Sequence, residues 1–280
     1  MMDGKALATE IRADVAREVA EVGHVGLATV LVGDDPASHV YISLKQKAAA
    51  EAGIDARDVR LPQGASEEEV LALVDSLNGD DSVDGVLVQL PLPGQLDEAR
   101  VTRAVSPAKD VDGIHPVNAG NLYLGTPLHV PATPAGCMAL LAAYDVDPAG
   151  KEAVVIGRSE IVGRPVAMLL LQANATVTMC HSKTADLAGE VRRADIVVAA
   201  VGVPGLVTSA MVKPGAAVID VGLTRTDEGI RGDVDPAVAD VAGHLTPMPG
   251  GTGPMTIALL LRSAVKAARY RRGILAYPTF

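Results

Sequence analysis

Tyr41 and Lys45 stand four residues apart in DDPASHVYISLKQKAAAEAG, so a helix places them on one face. The segment carries helix ends: Asp35 as N-cap, Pro36 at the first helical position and Gly53 to close it in the left-handed conformation. Val40, Leu44 and Ala48 form the adjacent apolar stripe. A lysine edging such a stripe loses water, which lowers its pKa and brings its neutral, proton-accepting form within reach. A lysine that snorkels to water beside ordinary packing fits the same pattern.

Three further sets of residues have chemistry to offer. Gln89 ends the apolar run VDGVLVQL and precedes Pro91-Leu92-Pro93, so it falls on the rim beyond a parallel strand, where α/β sheets bind ligands. In KDVDGIHPVNAG, Asp110 and Asp112 flank a valine just before Gly113 and near His115. The spacing matches neither an EF-hand nor a zinc motif, so no metal is expected. An Asx turn, or a carboxylate that holds a cationic or amidine-like ligand edge, remains open. Thr246 to Thr256, TPMPGGTGPMT, is a Gly/Pro loop whose Pro249, Gly250 and Gly251 can wall a ligand or connect domains.

A fourth set has a nucleotide-binding arrangement. The apolar strand Ala153 to Ile156 leads into Gly157-Arg158-Ser159, then Ile161-Val162, then Gly163-Arg164-Pro165 and the helix VAMLLLQ. A strand, a glycine turn and a helix start present backbone N–H groups to a phosphate, although the full G-x-G-x-x-G pattern is missing. The next strand, Ala175 to Cys180, runs into His181-Ser182-Lys183 with no acid for ribose hydroxyls. Arg158, Ser159 and Ser182, with Lys183, could hold a 2′-phosphate, which favours NADP over NAD. Gly202 and Gly222 follow two later strands, where small residues let a flat ring approach the backbone.

These residues need elements to position them. Leu7, Ile11, Val15 and Val19 mark a helix over residues 5–22, and Leu27 to Val32 reads as a buried strand. A short strand over residues 58–61 follows, and Ser66 with Glu69 makes a capping box ahead of a helix. Thr133 and Pro134 open another helix as N-cap and first residue, preceded by a turn-rich boundary over residues 125–131. Strands at residues 195–200 and 217–220 continue the alternation, and a long helix runs from Ile257 to about Tyr270. Alternation of strands and helices implies parallel βαβ units.

Composition bounds the rest. A chain of 280 residues, 49% hydrophobic and with a single Phe, builds an aliphatic core in one large or two ordinary domains. A net charge of −10 without like-charge runs argues against nucleic-acid binding through a basic surface and against a polybasic membrane patch. No stretch is long and apolar enough to span a membrane, and the first residues have no signal or transit character. Cys137 and Cys180 read as buried thiols of a reducing cytoplasm.

Taken in order, SHVYISLKQK, VDGVLVQLPLP, KDVDGIHPVNAG, TPAG, VVIGRSEIVGRPVAMLLL, CHSKT, AVGVPG, VIDVG and PGGTGPMTIA resemble the bifunctional methylenetetrahydrofolate dehydrogenase/cyclohydrolase family over nearly the whole chain. The resemblance implies an α/β fold: an N-terminal parallel-sheet α/β domain (residues 1–131 plus 256–280) and an NADP-binding Rossmann-like domain (132–255), with a cleft between them. It implies Lys45 as the catalytic lysine, Gln89 as its partner, Asp112 gripping the pterin and Tyr41 stacking on the folate. Arg158, Ser159 and Ser182 become NADP phosphate contacts. Tetrahydrofolate derivatives are the implied partners, and the chain is expected to form a homodimer. Two residues depart from the family pattern: Thr252 replaces a Val, and Ala132 replaces a Cys. The nearest alternatives are a monofunctional dehydrogenase and a non-catalytic NADP-binding protein. Tyr-x-x-x-Lys also occurs in short-chain dehydrogenases, but there it follows the nucleotide turn, whereas here it precedes it.

Overall fold

The computed structural model describes residues 1–33, 36–227 and 229–276, and the side chains of these except 36–41. In chain order the elements are α1 (Gly4–Val22), β1 (Gly26–Val32), α2 (Pro36–Glu51), β2 (Asp55–Leu61), α3 (Glu67–Gly79), β3 (Gly85–Val88), α4 (Glu98–Ala104), α5 (Pro116–Leu124) and α6 (Ala132–Ala143). They continue as β4 (Glu152–Ile156), α7 (Gly163–Gln172), β5 (Thr176–Cys180), α8 (Leu187–Arg193), β6 (Ile196–Ala199), β7 (Ala217–Asp220), β8 (Thr224–Thr226), β9 (Gly229–Arg231), β10 (His244–Leu245) and α9 (Thr252–Arg271). Two compact units result: Met1–Thr9 with Pro131–Thr256, and Glu10–Val130 with Ile257–Phe280.

In the unit of Glu10–Val130 and Ile257–Phe280, the described strands form a parallel sheet in the order β2-β1-β3. β1 is buried along its whole length, as a strand covered on both faces must be. Behind it pack Val70, Val74 and Leu77 of α3. The capping box of α3 is present: Ser66 Oγ accepts from Glu69 N, and Glu69 accepts from Ser66 N. At the far end, buried Asp84 accepts from Gly26 N and pairs with Arg271 and Arg272, which anchors the last turn of α9.

The other unit is a doubly wound parallel sheet in the order β10-β7-β6-β4-β5. Its core is aliphatic, with Val154, Ile156, Val197, Ala199 and Val218 all buried. β5 lies on one side of β4 and β6 on the other, so chain order reverses at β4. A crevice opens beyond the carboxyl ends of the strands at such a reversal. The hairpin β8–β9 is antiparallel. Residues 1–9 group with this unit: Met2 is fully buried and its N–H donates to Leu245 O at 2.8 Å.

Three local expectations are corrected. Leu44 is half exposed, because the buried face of α2 is built by Ile42, Lys45, Ala48 and Ala49. One residue turns about 100° round a helix, which swings Leu44 away from that face. Thr133 does not cap α6, which starts at Ala132 with Pro131 in the cap position. Its hydroxyl instead meets Thr256 Oγ1 at 2.8 Å. The last helix starts at Thr252, five residues before the expected Ile257. Pro254 is tolerated there because N–H groups of a first turn have no intrahelical partner.

Candidate active site and nucleotide loops

Lys45 lies in the middle of the buried face of α2, with 8% of its surface exposed. Its Nζ donates to Gln89 Oε1 at 3.1 Å. Gln89 follows β3 directly; its backbone N–H continues the ladder to Val30 O, and its Nε2 donates to Leu90 O at 2.8 Å. Both ends of the amide are therefore used, and the oxygen is the end turned to the lysine. Burial lowers the Lys45 pKa, and the Asp112 carboxylate opposes that. Loss of water pushes the Asp112 carboxyl up to about 7 against the attraction of Lys45, and Asp110 adds to the rise.

The turn that holds Asp112 is fixed from below. Val111 is fully buried and seats against Gly85, where a Cβ would lie 2.5 Å from Val111 Cγ1. The flanking carboxylates are thereby separated. Asp110 is buried and accepts from His115 N at 2.8 Å and Asn118 Nδ2 at 2.9 Å. Lys109, also buried, donates to Leu77 O and Asp80 O at the end of α3. Gly113, at φ 68°, closes the turn onto Asp110 O. Among the described residues no group of three or more His, Cys, Asp or Glu converges as metal ligands would. The N-cap expected at Asp35 lies outside the described residues. So does the side chain of Tyr41, whose backbone is helical in α2.

The loops expected to hold a nucleotide gather at the carboxyl edge of the doubly wound sheet. Ile156 of β4 pairs with Cys180 of β5, so Arg158 and Ser182 leave adjacent strands two residues beyond the same rung. Both are exposed. Ser182 sits on a tight turn closed by Thr184 N to His181 O and His181 N to Thr184 Oγ1. Gly157 adopts φ 117°, and a Cβ there would collide with Ala200 O. Gly163 packs its α-carbon on the Gly157 carbonyl, leaving no space for a side chain. Ile161 is half exposed and Val162 partly buried between them.

Ser159 changes the expected picture of the helix start. Its Oγ accepts from both Val162 N and Gly163 N at 3.2 Å. Those N–H groups of α7 are thus satisfied by the serine rather than presented to a ligand. What the loop has left to offer is the serine hydroxyl hydrogen and the exposed side chain of Arg158, the preceding residue. This donor set fits a phosphate.

Against this geometry the comparisons are specific. Residues 2–112 match the family model "Tetrahydrofolate dehydrogenase/cyclohydrolase, catalytic domain", and residues 131–272 match its "NAD(P)-binding domain". The bifunctional protein FolD of Moorella thermoacetica is 54% identical over 275 residues, which are 96% of this chain and 98% of that one. The chain belongs to the tetrahydrofolate dehydrogenase/cyclohydrolase family. The FolD protein of Acidiphilium cryptum is 56% identical, covering 97% of this chain and 99% of its own. Among solved structures, bifunctional FolD from Campylobacter jejuni superposes with a TM-score of 0.95 at 46% identity, covering 96% of this chain and 98% of that one. The Trypanosoma brucei FolD, complexed with NADP cofactor and inhibitor, gives 0.91 at 40% identity and covers 98% of each chain.

Within this family fold, Lys45, Gln89 and Asp112 converge in one unit. Arg158, Ser159, Ser182, Gly202 and Gly222 line one edge of the sheet in the other. Gly222 is required for a reason other than ring approach: a Cβ there would strike the Asp233 carboxyl. At Gly202 a Cβ would meet open space, and the φ of 68° is what favours glycine. Gly251 is buried against Thr246 and Pro247, and Gly4 packs on its carbonyl; Gly250 has φ 111°, and Pro249 is exposed. The sequence reading missed Asp233, Asp110 as a turn anchor, and the bond from Thr252 Oγ1 to Asp220 O at 3.1 Å. An Asp inside GDVDP looks like any turn residue, and only the tertiary contact distinguishes it.

Proposed function

We propose that this chain oxidises methylenetetrahydrofolate to methenyltetrahydrofolate with NADP⁺ and then hydrolyses that product to formyltetrahydrofolate. The observation that carries the reading is the buried Lys45, oriented by Gln89 and under the field of Asp112. In the dehydrogenase step the protein contributes position. NADP, when bound, supplies the two-electron acceptor for the methylene carbon. Arg158, Ser159 and Ser182 are assigned to the 2′-phosphate, and no acid stands among residues 181–183 to favour NAD. Gly157, Ile161, Val162, Gly202 and Gly222 are assigned to the loops that line the cofactor.

The hydrolytic step needs protons moved. The methenyl product is a cation, so its presence favours neutral Lys45 beyond what burial already does. The amine takes a proton from water as its oxygen bonds to the bridge carbon. The resulting ammonium returns a proton to the ring nitrogen as the bond from that nitrogen to the carbon breaks, and the hydroxyl left on the carbon gives its own proton to water as the formyl C=O forms. Gln89 orients the amine without adding charge. Asp112 accepts from the N–H edge of the pterin, Tyr41 stacks on the folate, and Pro249, Gly250 and Gly251 wall the substrate. The domains are assigned as residues 1–131 plus 256–280 for folate and 132–255 for NADP. A cytoplasmic homodimer supplying formyl groups to purine synthesis completes the reading, and light scattering tests its assembly.

The test gives the purified protein methylenetetrahydrofolate with NADP⁺ or NAD⁺ and follows reduced cofactor, methenyl and formyl products separately. Reduced NADP followed by enzyme-accelerated formyl product is expected. Methenyl product that decays only at its spontaneous rate would leave a monofunctional dehydrogenase.

A further inference from the structure

We infer that Asp233 is a positioning residue for the dehydrogenase step, acting by holding the loop after β6 in the shape that the cofactor meets. Asp233 is fully buried. Its carboxylate accepts from three consecutive backbone N–H groups: Val201 at 2.6 Å, Gly202 at 3.1 Å and Val203 at 2.7 Å. Successive N–H groups curved round one anion form a nest, and here the anion is the protein's own. The loop is held again by Thr224 Oγ1 donating to Gly202 O and by Gly205 N donating to Gly232 O.

The position gives this nest its meaning. The loop leaves β6 beside Gly157 at the reversal of strand order, where open α/β sheets bind their ligands. Asp233 is itself located by a second buried carboxylate. Asp220, at the end of β7, accepts from Gly222 N, Asp233 N and Val234 N. The two acids thus tie the loop after β6, the loop after β7 and the strand return at 232–234 into one backbone frame. Gly222 and Gly232 are glycines because each faces one of these carboxyls. The loop's N–H groups are turned inward to Asp233, and its Val201 and Val203 side chains are exposed.

This inference rests on the NADP reading above. Asp233→Asn replaces one acceptor oxygen with an N–H₂ that opposes the N–H groups of the loop. Asp233→Glu displaces the carboxylate while leaving its charge. Each variant is assayed for NADP⁺ reduction and, separately, for hydrolysis of methenyltetrahydrofolate, which needs no oxidant. Both variants are expected to raise the KM for NADP⁺ tenfold or more while the hydrolase rate stays within about twofold of the parent. An unchanged KM in Asp233→Asn overturns the inference. Parallel loss of both activities in both variants also overturns it, by reducing Asp233 to a fold-stabilising group. Failure of the parent protein to reduce NADP⁺ overturns the NADP reading instead.

Discussion

Lys45 Nζ and Gln89 Oε1 meet at 3.1 Å, the lysine from the buried face of a helix and the glutamine from the first position beyond a parallel strand. The amide nitrogen is anchored on Leu90 O, so the oxygen cannot turn away without breaking a second bond. Lys45→Met keeps the length of the side chain and removes the proton carrier. It is expected to lower the hydrolysis of methenyltetrahydrofolate by about two or more decades, the range of a general acid–base group. NADP⁺ reduction should fall less. Stopped-flow decay of the methenyl chromophore measures the first, and unchanged decay would falsify the role of Lys45.

Asp112, with its pKa near 7, should set a pH limb. On the proposed reading its carboxylate form accepts from the pterin, and its protonated form accepts less well. Below about pH 7, kcat/KM for hydrolysis should fall as the free enzyme takes up this proton, about tenfold per unit at full slope. Asp112→Asn should have a lower kcat/KM that no longer bends there. A limb that survives in the variant assigns the titration to another group.

Arg158 is expected to discriminate between the two nicotinamide cofactors. If Arg158 holds the 2′-phosphate as proposed, Arg158→Ala removes a charge-assisted bond of about 1.5–3 kcal/mol. The KM for NADP⁺ should then rise roughly tenfold or more, with the KM for NAD⁺ little altered. Equal effects on both would move Arg158 from the 2′-phosphate to a part common to both cofactors.

His129 predicts acid sensitivity. It is buried, its Nε2–H donates to Ala108 O at 3.0 Å, and among the described residues its Nδ1 has no partner. Burial lowers its pKa to about 4; the Ala108 bond opposes the shift and Lys266 adds to it. The unfolded chain takes up this proton near pH 6.5, well before the folded one does. The contribution to stability is therefore complete above about 6.5 and is lost as pH falls towards 4, by an amount of order 3 kcal/mol. Urea unfolding across that window should show a shallower pH dependence in His129→Gln. Identical slopes would clear His129.

Thr252 replaces the valine that the family resemblance leads one to expect. Its buried hydroxyl donates to Asp220 O, and Thr256 Oγ1 in turn donates to Thr252 O. Thr252→Val should cost about 1 kcal/mol, read as a lower urea midpoint at constant m. An unshifted midpoint would mean that the methyl gained compensates for the bond lost.

Much of the fold was legible where a residue acts on its own neighbours. The Ser66–Glu69 box, the strands of continuous aliphatics and the closing glycines all announce themselves locally. Leu44 and Lys45 show where this stops: periodicity finds an amphipathic helix, but which of two adjacent residues faces the core depends on what packs there. Thr133 fails for the same reason, since its hydroxyl is recruited by Thr256, 123 residues away. The glycines and cations at the edge of the doubly wound sheet stand out in the sequence, but the bonds of Ser159 to the start of α7 and of Asp233 to the Val201–Val203 loop do not, because any turn residue could stand in either place.

Val111, seated on Gly85 between two carboxylates, links core economy to chemistry. A single methyl added at Gly85 would lift the valine, and the disturbance would travel one residue each way along the chain. A packing change at this apolar pair is therefore felt at Asp112, the next residue along the chain from Val111, so on the proposed reading it shows in turnover as well as in folding.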